Sequence, residues 1–187
     1  MIKNRKELLE CLQVEEKLCR DIGYKGRIHA LLTSCEIGKI NQYLKVLRLD
    51  EYFSNKSLEN RLYLPCALYY RRKHNNLGLK LGLRIPINTI NKGLIIYHIG
   101  NIIVHQDARI GEYCQLHGNN CIGNNGKSGD EESKAPVIGK YANIGIGANV
   151  IGNVELADNI TVAAGAIVCK NCLCNNAVLI GVPAKVK

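Results

Sequence analysis

The side chains of this sequence that are best suited to proton transfer are its histidines. A neutral imidazole with a pKa near the working pH is able to take a proton from an attacking hydroxyl. The sequence has five, at His29, His74, His98, His105 and His117. Cys169, Cys172 and Cys174 form a second reactive cluster, with a CxxC spacing that is typical of metal sites. Because no second CxxC pair accompanies them, we expect reduced cysteines with a structural role.

His98 and the later members of both sets lie within or directly beside a region with a six-residue apolar period. From Ile138 onward every sixth residue is aliphatic, at Ile138, Ile144, Val150, Leu156, Val162 and Val168. An earlier run has the same period, at Val104, Ile110, Leu116 and Ile122. Such a period matches neither a helix nor an isolated strand. Hexapeptide repeats are the signature of a parallel β-helix.

In such a coil, three short strands make a triangular turn of about eighteen residues, so that residues about eighteen apart stack on each other. We therefore predict that Val104 stacks on Ile122 and that Ile138 stacks on Leu156. The period fails between Ile122 and Ile138, where the sequence is polar and rich in glycine. This interruption predicts a loop over residues 123–136 that leaves the coil, either as a functional element or as a neutral surface insertion.

The first part of the chain has helical rather than six-residue patterning. Helical stretches are expected over about 3–18, 28–32, 37–52 and 58–73. Over 77–83 leucine alternates with small or polar residues, which indicates an extended lead-in to the coil. The prediction is a mainly β fold, with an α-helical cap over 1–76 and a β-helix over 77–187. A cap is expected because the open end of a coil exposes unpaired strand edges.

Composition limits the classes of partner. The formal net charge of +9 is concentrated in the first half, with its densest run at Arg71, Arg72 and Lys73. Aromatic residues make up only 5% of the chain and no nucleic-acid-binding module is recognised, so we expect no nucleic-acid partner. The charge fits a solvated face, an anionic cofactor or at most a peripheral association with an acidic membrane. Without a signal peptide or a long apolar run, a cytoplasmic protein is the default expectation.

Three segments carry a resemblance to a known family. They are residues 93–104, the loop sequence Gly123-Asn124-Asn125-Gly126-Lys127-Ser128-Gly129, and Gly181-Val182-Pro183-Ala184-Lys185. In order and spacing, the region from Leu77 onward resembles the serine acetyltransferase branch of the hexapeptide-repeat acyltransferases. The cap is most similar to the shorter enzymes of this type from bacterial surface-polysaccharide loci. The resemblance implies a left-handed β-helix, a homotrimer, and acetyl-CoA bound in the grooves between subunits.

The resemblance also implies roles for individual residues. His98 occupies the position of the family's catalytic histidine, which makes it the expected general base. The cofactor contacts fall by position on Asn124, Ile146 and Ala164, mostly through their backbone. Lys170, near the last coil, is a candidate for contacts with CoA phosphates.

The orientation of His98 has two alternatives. The six-residue phase, extended back from Val104, puts His98 on an inward position. Either Gly100 and Asn101 mark a bulge that turns the imidazole outward, or His98 is a core residue.

Departures from the family pattern concern the acceptor. Tyr97 stands where the family has an aspartate that helps to hold serine, and Ala135 replaces its second histidine. The aspartate that orients the catalytic histidine has no match, since Arg84 lies near its place. Tyr97 and His117 are the candidates for acceptor binding. We therefore expect a hydroxyl of a sugar or polysaccharide precursor as the acceptor, with L-serine as the alternative.

The predicted coil is compatible with two further functions. The γ-type carbonic anhydrases share the coil and bind zinc between subunits, and Leu116-His117-Gly118 is similar to part of their pattern. Their paired ligand five residues earlier would be Glu112 here, so the zinc site is incomplete and we expect no metal. The remaining alternative is a non-catalytic β-helix that serves as an assembly module.

Overall fold

The computed structural model describes residues 2–126 and 134–187. The first part of the chain is helical, with α1 at Arg5–Asp21, α2 at Arg27–Thr33, α3 at Glu36–Glu59, a short 3-10 helix at Arg61–Tyr63 and α4 at Leu64–Leu81. The Asn4 side chain caps α1 by accepting a hydrogen bond from the backbone N–H of Glu7. Pro65 lies in the first turn of α4, where it removes no helical hydrogen bond. Helix α4 ends at Gly82, which has the left-handed conformation that favours glycine.

The extended lead-in predicted over 77–83 is wrong, because α4 continues to Leu81. The leucines of this segment instead lie on different faces of the helix, since Leu81 is buried whereas Leu79 is 84% exposed. Gly78 allows the chain after α4 to pass close to the helix, because a Cβ at Gly78 would lie 2.4 Å from the carbonyl oxygen of Leu83. The predicted helices 37–52 and 58–73 likewise have different bounds, and α3 includes residues that were assigned to the fourth helix.

The rest of the described chain consists of short strands separated by tight corners. The strands are β1 (Leu83–Arg84), β2 (Ile95–Ile96), β3 (Ile102–Val104), β4 (Arg109–Ile110), β5 (Gln115–Leu116), β6 (Cys121–Gly123), β7 (Val137–Ile138), β8 (Asn143–Ile144), β9 (Asn149–Ile151), β10 (Glu155–Leu156), β11 (Thr161–Val162), β12 (Ile167–Val168), β13 (Val178–Ile180) and β14 (Lys185–Val186).

The strands form three sheets. Their orders are β1-β3-β6-β9-β12, β10-β7-β4 and β14-β13-β11-β8-β5-β2. All the pairings are parallel except that of β13 with β14. The predicted stacking is confirmed, since Val104 pairs with Ile122 and Ile138 pairs with Leu156. From β2 to β12 the chain therefore passes from one sheet to the next at each corner, as a three-sided coil requires.

The core of the coil is built from the six-residue repeat. Its aliphatic positions are 2% exposed or less, and the small residues two places earlier are buried with them. Asn120 is a polar side chain at one of these small positions. Its amide donates to the carbonyl oxygens of Gly145 and Ala148, and its oxygen accepts the N–H of Gly118. Burial of this polar group is therefore compensated by hydrogen bonds.

The predicted loop lies between β6 and β7. Gly123 is the last residue of β6, so the interruption of the coil begins one residue later than predicted. Part of the loop, residues 127–133, lies outside the described residues.

The helices are joined to the coil by a buried charged group. Arg48 of α3 and Glu15 of α1 form an ion pair of 2.7 Å in which both side chains are 3% exposed or less. The same guanidinium donates to Glu51 and to the carbonyl oxygens of Ile90 and Asn91. Since Ile90 and Asn91 precede β2, Arg48 fixes α3 relative to the start of the coil.

None of the helices in the described ranges is both long and apolar enough to cross a membrane.

Candidate functional site

His98 lies on a bend of the backbone between β2 and β3. The bend is held against the end of α4, because Gly100 donates its N–H to the carbonyl oxygen of Leu81 and Ile102 donates to that of Gly82. Gly100 has a φ of 138°, a conformation that strongly favours glycine. The side chain of His98 is 61% exposed. His98 is therefore not a core residue, and the alternative in which a bend turns it outward is correct.

A carboxylate from the helical region lies beside this histidine. Glu36, the first residue of α3, has its Oε2 atom 3.5 Å from Nδ1 of His98. Its other oxygen, Oε1, accepts the backbone N–H of Ile99 at 2.7 Å. Sequence analysis did not find Glu36, because its local signal is that of an acidic residue in the first turn of a helix. Only the packing of α3 against the coil brings it to His98.

Tyr97 and His117, the candidates for acceptor binding, lie in contact next to His98. Their rings stack with centroids 4.3 Å apart and planes at 16°. The hydroxyl of Tyr97 donates to Oε1 of Gln115 at 3.1 Å. Within the described part of the chain, the buried Nε2 atom of His117 has no hydrogen-bond partner. The pair is thus a stacked aromatic unit that encloses one buried polar atom without a partner in the described residues.

Strand register aligns His98 with two of the predicted cofactor residues. Ile96, Leu116, Ile144 and Val162 pair in succession across β2, β5, β8 and β11. The residues two positions later form what we call the corner column, consisting of His98, Gly118, Ile146 and Ala164.

Contacts between neighbouring coils support this alignment. A Cβ on Gly118 would lie 3.4 Å from Cβ of His98, and Gly165 donates its N–H to the carbonyl oxygen of Ile146. Ile146 is 49% exposed, and Ala164 is exposed as well. With neighbouring strands about 4.8 Å apart, the column spans roughly 14 Å along the coil. The histidine and these two residues therefore form one open edge.

The other two predicted cofactor residues lie on a different corner. Asn124 follows β6 and Lys170 follows β12, and both strands belong to the sheet that contains β3. The corner column, in contrast, follows strands of the sheet that contains β2. A single chain therefore does not bring Asn124 and Lys170 next to His98. His105 also lies after β3, with Nδ1 3.6 Å from Oδ2 of Asp107, away from His117 as expected.

The cysteines do not form a cluster of metal ligands in the described residues. All nine cysteines are free. Cys172 is buried while Cys169 and Cys174 are exposed, and burial raises the pKa of the Cys114 thiol in the coil core to about 12. Within residues 2–126 and 134–187, no group of three or more His, Cys, Asp or Glu side chains has an arrangement that would hold a metal ion.

A cavity beside the coil does not contain His98. It has a volume of about 810 Å³ and lies between α4 and the first strands of the coil. Its lining includes Asp50, His74, Gly82 and Arg84 but none of the predicted site residues. His74 is a buried residue of the helical cap, between Asp50 and the hydroxyl of Tyr43. These groups are engaged with one another, so the cavity adds no reactive side chain to the site.

Comparison with known proteins gives a consistent set of relatives. A serine acetyltransferase of Synechococcus elongatus is 25% identical over 101 residues, which are 54% of this chain and 40% of that protein. A serine acetyltransferase of Buchnera aphidicola is 31% identical over 101 residues, with 54% and 38% covered. The matches thus span about two fifths of the length of these relatives. No family model matches the chain.

Solved structures give the same result over nearly the whole chain. The Neisseria gonorrhoeae serine acetyltransferase in complex with serine superposes with a TM-score of 0.68 at 22% identity, covering 98% of this chain and 70% of that one. The soybean serine acetyltransferase apoenzyme gives a TM-score of 0.73 at 22% identity, with 97% and 69% covered.

The repeat, the three-sided register and these structures define a hexapeptide-repeat protein with an N-terminal helical region. Within that class the chain is serine acetyltransferase-like, as its relatives in sequence and in structure show. The resemblance to the serine acetyltransferase branch is thereby confirmed.

Proposed function

We propose that this protein is an acetyl-CoA-dependent O-acetyltransferase with His98 as its general base. The observation that carries the proposal is the exposed imidazole of His98 at one end of the corner column, with Tyr97 and His117 beside it. This arrangement gives a base, an adjacent stacked aromatic pair and an open edge for a thioester donor. The serine acetyltransferases that the chain resembles support the same chemistry.

The proposed reaction assigns one proton transfer to His98. Nε2 of the neutral imidazole takes the proton from the acceptor hydroxyl as its oxygen attacks the thioester carbonyl carbon. Backbone N–H groups at the corners stabilise the negative charge that develops on the carbonyl oxygen. When the carbon–sulfur bond breaks, the imidazolium returns the proton to the departing thiolate of CoA. The base is thereby regenerated.

Acetyl-CoA is proposed to lie along the corner column. Ile146 and Ala164 are both exposed, and the glycines that flank them leave room for close approach of a pantetheine arm. Asn124 and Lys170 remain proposed cofactor residues, but they follow a different corner of the chain. They would complete the site if a neighbouring subunit supplied them. This is why we propose a homotrimer built from left-handed coils, in which each cleft is lined by two subunits.

The acceptor proposal changes in the light of the comparisons. The relatives with a named acceptor are serine acetyltransferases, and one neighbouring structure is a complex with serine. We therefore propose L-serine as the first acceptor, ahead of the sugar hydroxyl that the sequence favoured. A sugar or polysaccharide precursor is the second candidate, because Tyr97 and Ala135 depart from the family's serine-binding pattern and Tyr97 stacks on His117.

A panel of acceptors tests this function. Thiol release from acetyl-CoA is measured with L-serine, nucleotide sugars and oligosaccharides at equal concentrations. We expect release that depends on L-serine. Release with a saccharide instead would replace L-serine as the acceptor and keep the reaction class. If CoA thiol is released with none of them, the non-catalytic assembly module becomes the better description.

A further inference from the structure

We infer that Glu36 is a positioning residue for His98, supplied by the helical region instead of by the coil. This inference rests on the proposed function and names the carboxylate that the site would otherwise lack. Arg84, which lies near the place of the family's orienting aspartate, carries the opposite charge. No carboxylate other than Glu36 lies within 4.0 Å of the imidazole in the described ranges of the chain.

The two oxygens of Glu36 have separate partners. The short hydrogen bond from the N–H of Ile99 to Oε1 fixes the carboxylate on the residue that directly follows His98. This leaves Oε2 facing Nδ1 of the imidazole at 3.5 Å. The distance is longer than a good hydrogen bond, as is common for catalytic pairs before substrate binds. One carboxylate thus links the backbone of the bend to the ring that the bend carries.

The chemical consequence concerns the tautomer of His98. A neutral imidazole carries its proton on one nitrogen, and the partner of that nitrogen decides which one. A carboxylate at Nδ1 favours the Nδ1–H form, which leaves the lone pair of Nε2 free to accept a proton. The same carboxylate stabilises the imidazolium that forms during transfer. Glu36 would therefore raise the fraction of His98 that is ready to act as a base.

The start of α3, which carries Glu36, is held in place by contacts with its neighbours. It opens α3, and a Cβ on Gly38 would lie 2.4 Å from Cβ of Ala30, so that α2 packs closely against this first turn. One face of α3 is buried, and Arg48 ties the helix to the backbone of Ile90 and Asn91 at the start of the coil. The carboxylate is thus held in place relative to the coil by contacts that do not involve His98.

The test compares Glu36→Gln with a control on the same helix, Glu59→Gln. Glutamine keeps an oxygen acceptor for the N–H of Ile99 but removes the charge beside Nδ1. We expect kcat to fall about 10- to 100-fold, by analogy with the loss of the partners that orient metal-bound histidines. The KM for acetyl-CoA should remain unchanged. Glu59 lies at the exposed end of α3 beside Lys56, so its variant should keep the wild-type kcat.

A second readout does not depend on turnover. In protein with ¹⁵N-labelled histidine, the imidazole nitrogen shifts report which nitrogen of His98 is protonated. We expect the Nδ1–H form to predominate in the wild type and in Glu59→Gln, and the Nε2–H fraction to rise in Glu36→Gln. An unchanged tautomer distribution together with an unchanged kcat in Glu36→Gln would overturn the inference.

Failure of the inference is distinguishable from failure of the proposed function. If His98→Ala abolishes turnover while Glu36→Gln behaves like the wild type, only the role of Glu36 is overturned. If His98→Ala retains full turnover, the proposed function of His98 is overturned, and Glu36 then has no base to position. A loss of activity in Glu36→Gln without any change in tautomer also contradicts positioning and indicates a structural defect.

Discussion

The helical region and the coil are stabilised in different ways. In the coil, the repeat places apolar side chains such as Ile144, Val150 and Val162 in the interior, and each is 0% exposed. In the helical region, the interior also contains charged side chains, with Arg48 2% and Asp50 0% exposed. The coil is stable when each repeat position carries an apolar side chain of suitable size. The helical region also requires that each buried charged side chain meets a specific side chain of opposite charge. The catalytic geometry proposed here requires both, since His98 lies on the coil and Glu36 on a helix.

Of the variants that test this difference between the helical region and the coil, Arg48→Met should lower the free energy of unfolding most. The change leaves Glu15 and Glu51 buried without their counter-charge, and we expect the free energy of unfolding to fall by about 3–5 kcal/mol. Chemical denaturation measures it. Lys56→Met on the same helix is the control, because water screens its pair with the 60% exposed Glu59 and the pair should contribute little to stability. Equal losses in the two variants would remove the distinction between buried and surface charges.

A smaller effect is expected in the coil from Ile144→Val. Removal of one buried methylene from the repeat should cost about 0.5–1.5 kcal/mol of unfolding free energy, measured in the same way. Ile146→Val, two residues later on the exposed corner, should leave the stability nearly unchanged. The burial pattern of the repeat would be contradicted if the corner variant were the less stable of the two.

The smallest effect is a pH dependence that belongs to the helical region. Burial raises the pKa of Asp50, but hydrogen bonds from His74 and Arg71 outweigh it and hold the pKa below its ordinary value of 3.8. A lowered pKa stabilises the fold above 3.8, and this stabilisation is lost as the pH falls through the lower, folded-state pKa. The difference in unfolding free energy between wild type and Asp50→Asn should therefore narrow in acid. A constant difference from pH 6 to pH 3 would contradict this assignment.

The difference between the repetitive coil and the helical region also explains which parts of the fold the sequence predicts. The stacking of Val104 on Ile122 was predictable because the register of a repeat is local and follows its period. The end of α4 was not, since the alternating leucines over 77–83 fit a strand as well as a helix, and contacts made through Gly78 decide between them. Periodicity alone also misplaced His98, because the bend at Gly100 interrupts the phase.

The candidate site likewise contains residues that the sequence predicts and one residue that it does not. The resemblance supplied His98, Ile146 and Ala164, and the register then aligned them in one column. Glu36 lies 62 positions before His98 in the sequence, and no periodicity connects the two. Their proximity depends on how α3 is anchored to the coil, which is a property of tertiary packing alone.

The most direct test of the central claim is the initial rate of thiol release from acetyl-CoA by His98→Ala, with the acceptor that the wild type uses. Lys140→Ala is the matched control, because Lys140 also lies two positions after a strand aliphatic but on another corner of the coil. We expect a rate about 10²- to 10⁴-fold below wild type for His98→Ala, and a wild-type rate for Lys140→Ala. A wild-type rate in His98→Ala would contradict it.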